Sequence, residues 1–215
     1  MKLIFIVGPA RSGTSALATL VRSMGASTLP VTVVGRHNPN YQENAIVNAM
    51  AEAIHPWFRI EHRDITQHLW EGIALYIIEN VKHMEREPSH LVVKSPCFPF
   101  IVRELDMIAD FVGRIIPGEV YYLATERDRN AVVRSSDKFT GGMFGPEHWD
   151  RMVQAASNQM RARLDDRALW IGYEDMLVDW RSTAERIAKW IPGLSVPEDG
   201  GIVPELNHEG LRNAC

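Results

Sequence analysis

Cysteine is scarce: the chain of 215 residues has two, Cys97 and Cys215. Thiols this far apart make no disulfide framework, and no CxxC or Cys/His spacing points to zinc. A reduced intracellular protein with two free thiols is expected. Long apolar runs are also lacking. The first, residues 3–7, is too short for a signal-peptide core and far too short to span a bilayer. No later run reaches spanning length, so a cytoplasmic protein without a membrane span is expected. Positive charge is not in surplus: 23 Lys and Arg stand against 27 Asp and Glu, a net charge of −4. Bulk charge therefore gives a nucleic-acid partner no support, and a small anionic ligand would depend on individual cations. Internal repeats and low-complexity tracts are absent.

What is present is ordinary globular material, 46% hydrophobic and 23% charged. The length fits one compact domain over 1–215, with a Pro/Gly-rich closing tail at 192–215. Four short apolar runs read as strands: residues 3–7, 90–93, 120–125 and 168–172. Helical spacing lies between them, at 14–24, 43–54, 64–85, 99–111, 128–135, 147–164 and 173–191, the last with Ile187, Trp190 and Ile191 as core positions. Asp64 and Asp128 are the expected caps of their helices. Residues 28–41 read as an irregular loop, and "GGMFG", residues 141–145, as a flexible break. Strands alternating with helices predict an α/β fold, three-layer α/β/α with a mainly parallel central sheet. In such sheets ligands gather beyond the carboxyl ends of the strands.

The segment after the first strand is "GPARSGTS", residues 8–15. It nearly fits the phosphate-loop pattern G-x-x-x-x-G-K-[ST]. Gly8 and Gly13 have the required spacing and Ser15 fits the last position, but Thr14 replaces the lysine and a cation, Arg11, comes three residues earlier. Glycines let successive N–H groups point inward, and the following helix adds the positive end of its dipole. Arg11 can reach the same anion as a fork, with Ser12, Thr14 and Ser15 as hydroxyl donors. The lysine that bridges the β- and γ-phosphates of a nucleoside triphosphate is missing, and no apolar strand ends in an aspartate for magnesium. A monophosphate-like or phosphosulfate group handled without metal is the expected ligand.

After the third strand comes "RDRNAVVRS", residues 127–135. Arg127 at the strand end and Ser135 two turns into the next helix can grip one phosphate from two sides. The bland alternative pairs Arg127 with Glu126 or Asp128 on the surface.

These segments resemble the sulfotransferases that use 3′-phosphoadenylyl sulfate (PAPS). The family loop P-[KR]-S-G-T-[TS] appears as Pro9, Arg11, Ser12, Gly13, Thr14 and Ser15, with Ala10 inserted. The family motif R-D-x-R-x-x-V-x-S is followed by Arg127, Asp128, Val133 and Ser135 in register, with Arg129 one place before the motif's second arginine. "YEDML" from Tyr173, "VVKSP" with Lys94, and "NPNYQEN", residues 38–44, follow further family segments; the matches keep family order and cover residues 1 to about 190. The resemblance implies a P-loop-containing sulfotransferase fold and transfer of a sulfonate to a hydroxyl or amine, with 3′,5′-ADP (adenosine 3′,5′-bisphosphate) as product. It implies that Arg11, Ser12, Gly13, Thr14 and Ser15 hold the 5′-phosphosulfate. Arg127 and Ser135 would hold the 3′-phosphate, and Tyr173 would lie beside the adenine. Arg11 and Lys94 would stabilise charge on the leaving oxygen.

The chain departs from one branch of that family, which has a histidine two residues after the lysine, where Pro96 stands here. In the tyrosylprotein branch a glutamate serves as base; Glu43 holds the matching position, with His37, His55 and His62 in reserve. Ala16 stands where some members stack an aromatic on the adenine, leaving Trp57, Phe58, Trp70 and Trp149 as alternatives. Two other readings are a P-loop nucleotide or small-molecule kinase and a non-catalytic nucleotide-binding module. The acceptor class stays open among small molecules, glycans, lipids and peptides, as does the oligomeric state.

Overall fold

A computed structural model of the chain describes residues 1–30, 33–35, 38–54 and 63–198. Its centre is a five-stranded, all-parallel sheet of β1 (Lys2–Val7), β2 (Ser27–Thr28), β5 (His90–Lys94), β6 (Glu119–Glu126) and β7 (Ala168–Gly172), in the order β2-β5-β1-β6-β7. Alternation along the strands divides the core in two. Leu3, Phe5, Val7, Leu91, Val93 and Tyr122 face α3 (Arg63–His83), α4 (Val102–Ile115) and α6 (Pro146–Leu164). Ile4, Ile6, Val92, Leu123 and Ile171 face α1 (Thr14–Ser23), α7 (Tyr173–Val178) and α8 (Trp180–Trp190). Burial on both faces explains why these strands are continuously apolar rather than alternating. The expected α/β/α architecture is what the chain adopts. No helix among the described residues is long and apolar enough to cross a membrane.

Strand order reverses about β1. The chain leaves β1 for β2 and β5 on one side, then crosses to β6 and β7 on the other. Helices leaving in opposite directions open a crevice at such a point. Because all strands are parallel, the segments after β1, β5, β6 and β7 emerge at one end. The pairs Ile6–Lys94, Val7–Ala124 and Glu126–Gly172 set those ends nearly level.

Several local expectations are corrected. Part of the stretch expected to be irregular forms an antiparallel pair, β3 (Val33–Gly35) with β4 (Asn38–Glu43). Glu43 therefore ends a strand instead of opening a helix, and α2 (Ala45–Ile54) follows Asn44. Asn44 Oδ1 accepts from the N–H groups of Ile46 (3.0 Å) and Val47 (3.2 Å), the usual work of an N-cap. Asp64 is no cap, since α3 begins at Arg63. The helix expected at 173–191 is broken at Asp179, whose side chain accepts from the N–H of Ser182 (3.0 Å) and starts α8. Trp190 is exposed, while Ile187 and Ile191 are buried as expected. Asp128 does cap its helix, α5 (Arg129–Phe139), by accepting from the N–H of Ala131 (2.8 Å).

A polar triad ties α4 to β6 and the start of β7. Tyr122 donates its hydroxyl to Asp106 Oδ1 (2.6 Å), and Arg167 donates to both oxygens of the same carboxylate (2.6 and 3.1 Å). Burial opposes the charge on Asp106, but the bonds from Arg167 and Tyr122 outweigh it and hold the carboxyl below its ordinary range. Burial and the bond to Asp106 push the Tyr122 phenol up, so it stays a donor.

Candidate anion-binding site

Residues 8–13 link β1 to α1 in a tight curl. Ser12 N–H donates to the Pro9 carbonyl (3.1 Å), and two residues are left-handed: Arg11 at φ 67° and Gly13 at φ 96°. Gly13 has two reasons to lack a side chain: its φ, and an added Cβ that would sit 2.2 Å from the Tyr173 ring. Helix α1 starts here with no side-chain cap and no acidic residue in its first turn. Its first N–H groups and its dipole thus face the crevice at the end of β1.

Three other elements close on this curl. From the end of β6, Thr125 Oγ1 lies 2.6 Å from Ser12 Oγ in a buried contact. From just beyond β6, Arg127 donates to the Arg11 carbonyl (3.0 Å) and lies over the Tyr173 ring, 4.6 Å from its centroid. Its side chain is 10% exposed, and Nε is 3.6 Å from Glu174 Oε1. From α5, Ser135 Oγ accepts from Arg11 Nε (3.2 Å), and the Arg11 guanidinium stands 5.0 Å from the Phe139 ring centroid. Arg11, Ser12, Gly13, Arg127, Ser135 and Tyr173, widely separated in sequence, are therefore one contiguous group. Arg127 is thus nearly buried, and the contacts just given turn it toward the loop and Glu174. Another arginine of the same segment, Arg129, turns outward: it donates to both oxygens of Asp150 (2.5 Å each) and to Gln154 (3.2 Å) on α6.

Lys94 stands on the other side of β1. It is 4% exposed at the end of β5, on the α1 face of the sheet, and lines a small cavity with Ala18, Leu29 and Asn44. Asn44 is itself fixed: its amide donates to the Pro30 carbonyl (2.8 Å) and to Tyr76 Oη (2.8 Å). Glu43, the expected base, is its chain neighbour, described only as the last residue of β4. His37, His55, His62, Trp57 and Phe58 lie outside the described residues, as does Cys215. Trp70 packs edge-on against Phe111 in the core, and Trp149 against Phe144 and His148.

A cleft of about 380 Å³ opens beside the curl, beyond the ends of β6 and β7. Ser12, Thr125, Arg127, Gly172 and Glu174 line it, with Arg161, which pairs with Glu126 and covers Trp170. Thr125, Glu174 and Arg161 were not singled out in the sequence. Thr125 was findable, as the last hydroxyl of a strand whose end was already of interest. Glu174 falls within the "YEDML" segment, but its pairing with Arg127 comes from another element; Arg161 carries no local signal.

Comparison with known proteins bears on this geometry. A family model described as "Sulfotransferase family" matches residues 4–198. No curated protein sequence matches the chain. Among solved structures, the sulfotransferase domain from the Synechococcus PCC 7002 olefin synthase aligns with a TM-score of 0.56 at 16% identity, over 99% of this chain and 82% of that one. At that identity the likeness carries the fold.

Proposed function

Because the chain belongs to the sulfotransferase family, we propose that it transfers a sulfonyl group from PAPS to a hydroxyl or amine of an acceptor. The observation that carries the donor assignment is the convergence of Arg127, Ser135 and Tyr173 on the loop at 8–15. A nucleoside triphosphate gives the Arg127–Ser135 pair nothing to hold, whereas a 3′-phosphate does. The loop also fits a phosphosulfate: an uncapped helix start and a glycine with no room for a Cβ leave backbone donors facing a compact tetrahedral anion.

In this reading the N–H groups at the start of α1 hold the 5′-phosphate. The 3′-phosphate takes the guanidinium of Arg127 and the hydroxyl of Ser135, and Tyr173 lies beside the adenine. As the acceptor oxygen bonds to sulfur, the bond from sulfur to the bridging phosphate oxygen breaks and its electron pair stays on that oxygen. Arg11 and Lys94 supply positive charge for it, in the role that magnesium and the loop lysine take in kinases. The acceptor proton passes to Glu43, and 3′,5′-ADP leaves. Asn44, bonded to Pro30, Tyr76 and the start of α2, holds the backbone beside that carboxylate.

Incubation with ³⁵S-labelled PAPS in EDTA, against phenol, sugar, lipid and peptide acceptors, tests the reading. A labelled acceptor is expected without added metal. Phosphorylation of an acceptor from Mg·ATP, with no transfer from PAPS, overturns it.

A further inference from the structure

Three acidic residues line the cleft beside the loop, and they do different work. Glu126 pairs with Arg161. Asp128 caps α5 by accepting from the N–H of Ala131 (2.8 Å). Glu174 turns to Arg127, its Oε1 3.6 Å from Nε. An acid in the first turn of a helix has an ordinary explanation, because it favours the helix dipole. In α7 Asp175 stays at the helix start in that way: a Cβ added to Gly172, the residue before the helix, would come within 2.5 Å of Asp175 Oδ2. Glu174 reaches across to another element instead.

Two consecutive residues of α7 therefore meet one guanidinium. The Tyr173 ring lies against its face, 4.6 Å away, and the Glu174 carboxylate faces its Nε edge, while Nη1 donates to the Arg11 carbonyl (3.0 Å). The carbonyl and the ring fix where the guanidinium sits. The carboxylate is too far for a hydrogen bond, so it adds charge and little direction. Its side chain is 56% exposed against 10% for that of Arg127, so the carboxylate can swing into water while the arginine stays. We infer that Glu174 is an internal anion that competes with the 3′-phosphate for Arg127, and so sets the affinity of the donor site. The inference rests on the sulfotransferase reading above, with Arg127 as a ligand of the 3′-phosphate. A nucleotide held by its 5′ end delivers the 3′-phosphate at high effective concentration and takes the guanidinium over. A free inorganic anion has no such advantage, and Glu174 keeps it off a nearly buried cation. A nucleotide with a 3′-hydroxyl leaves the Arg127–Glu174 pair as it is.

The test uses the full chain and titration calorimetry with 3′,5′-ADP and with 5′-AMP. Wild type, Glu174→Gln, Arg127→Ala and the double variant are compared. Glutamine keeps the size of the side chain and removes the charge. Glu174→Gln should tighten 3′,5′-ADP by about tenfold, the effect of a unit charge removed a few ångströms from a phosphate at a protein surface. It should leave 5′-AMP unchanged within about twofold, and in the Arg127→Ala background it should change 3′,5′-ADP by less than about twofold. Unchanged 3′,5′-ADP affinity overturns the inference. So does weaker binding, which would make Glu174 an aligner of Arg127. Equal tightening of 5′-AMP, or equal tightening without Arg127, also overturns it, since the carboxylate would then act on the whole site and not on that arginine. All of these leave the donor assignment standing. Failure of the wild-type protein to bind 3′,5′-ADP, or equal losses of both nucleotides in Arg127→Ala, overturns the donor assignment, and this inference with it.

Discussion

Arg127→Ala is expected to weaken 3′,5′-ADP by about 100-fold while changing 5′-AMP by much less. A hydrogen bond to a charged group contributes about 1.5–3 kcal/mol, and a forked guanidinium–phosphate pair makes two. The substitution also removes the bond to the Arg11 carbonyl and the cover over Tyr173. That structural part loosens the loop for both nucleotides alike. The ratio of the two losses is therefore the readout, measured by calorimetry on wild type and variant. Equal losses would mean that Arg127 is a pin for the loop and not a phosphate ligand. Arg127→Lys should fall between, because it keeps the charge and loses the fork.

Arg11→Gly is expected to separate stability from turnover. Arg11 holds φ 67°, a conformation that costs a side-chain-bearing residue about 1–2 kcal/mol. Glycine relieves that strain, but it loses the bond to Ser135 and the stacking on Phe139, and it adds freedom to the unfolded chain worth about 0.4–1 kcal/mol. These contributions nearly cancel, so the melting temperature should move by only a few degrees, read by calorimetric scan. Sulfonyl transfer should fall by about 10²–10³ in kcat if the guanidinium stabilises charge on the leaving oxygen. Stability and activity failing together would reduce Arg11 to scaffolding. Unchanged turnover would remove it from the chemistry. Strain kept at a residue that a glycine would relieve is the observation behind the expectation.

The parts of the fold legible in the sequence are those where local and global demands agree. β1 and β5 are buried on both faces, as is the second half of β6, so each carries a short apolar run; the edge strand β7 is apolar but only partly buried. β2 has two residues, Ser27 and Thr28, with no pattern to read. β3 and β4 were hidden because Gly35, Asn38 and Pro39 are turn formers, while the pairing that makes them strands lies between segments. At Asp179 the apolar spacing runs on across a backbone break, so periodicity joined α7 and α8 into one helix. For the site, the glycine spacing, the strand end and Arg11 marked an anion loop from local chemistry alone. Arg127 and Ser135 gained meaning only through family resemblance, because nothing local reveals that α5 lies across the loop. The contacts of Thr125 and Glu174 became visible only once the sheet order was known.

The donor assignment is tested most directly by melting the protein with 3′,5′-ADP and, separately, with Mg·ATP at the same concentration. A ligand at about 100 times its dissociation constant adds about 2.7 kcal/mol by mass action, which for a chain of this length raises the melting temperature by about 5–10 °C. The assignment predicts that rise with 3′,5′-ADP in the absence of metal, and a much smaller one with Mg·ATP. Stabilisation by Mg·ATP with none from 3′,5′-ADP contradicts it.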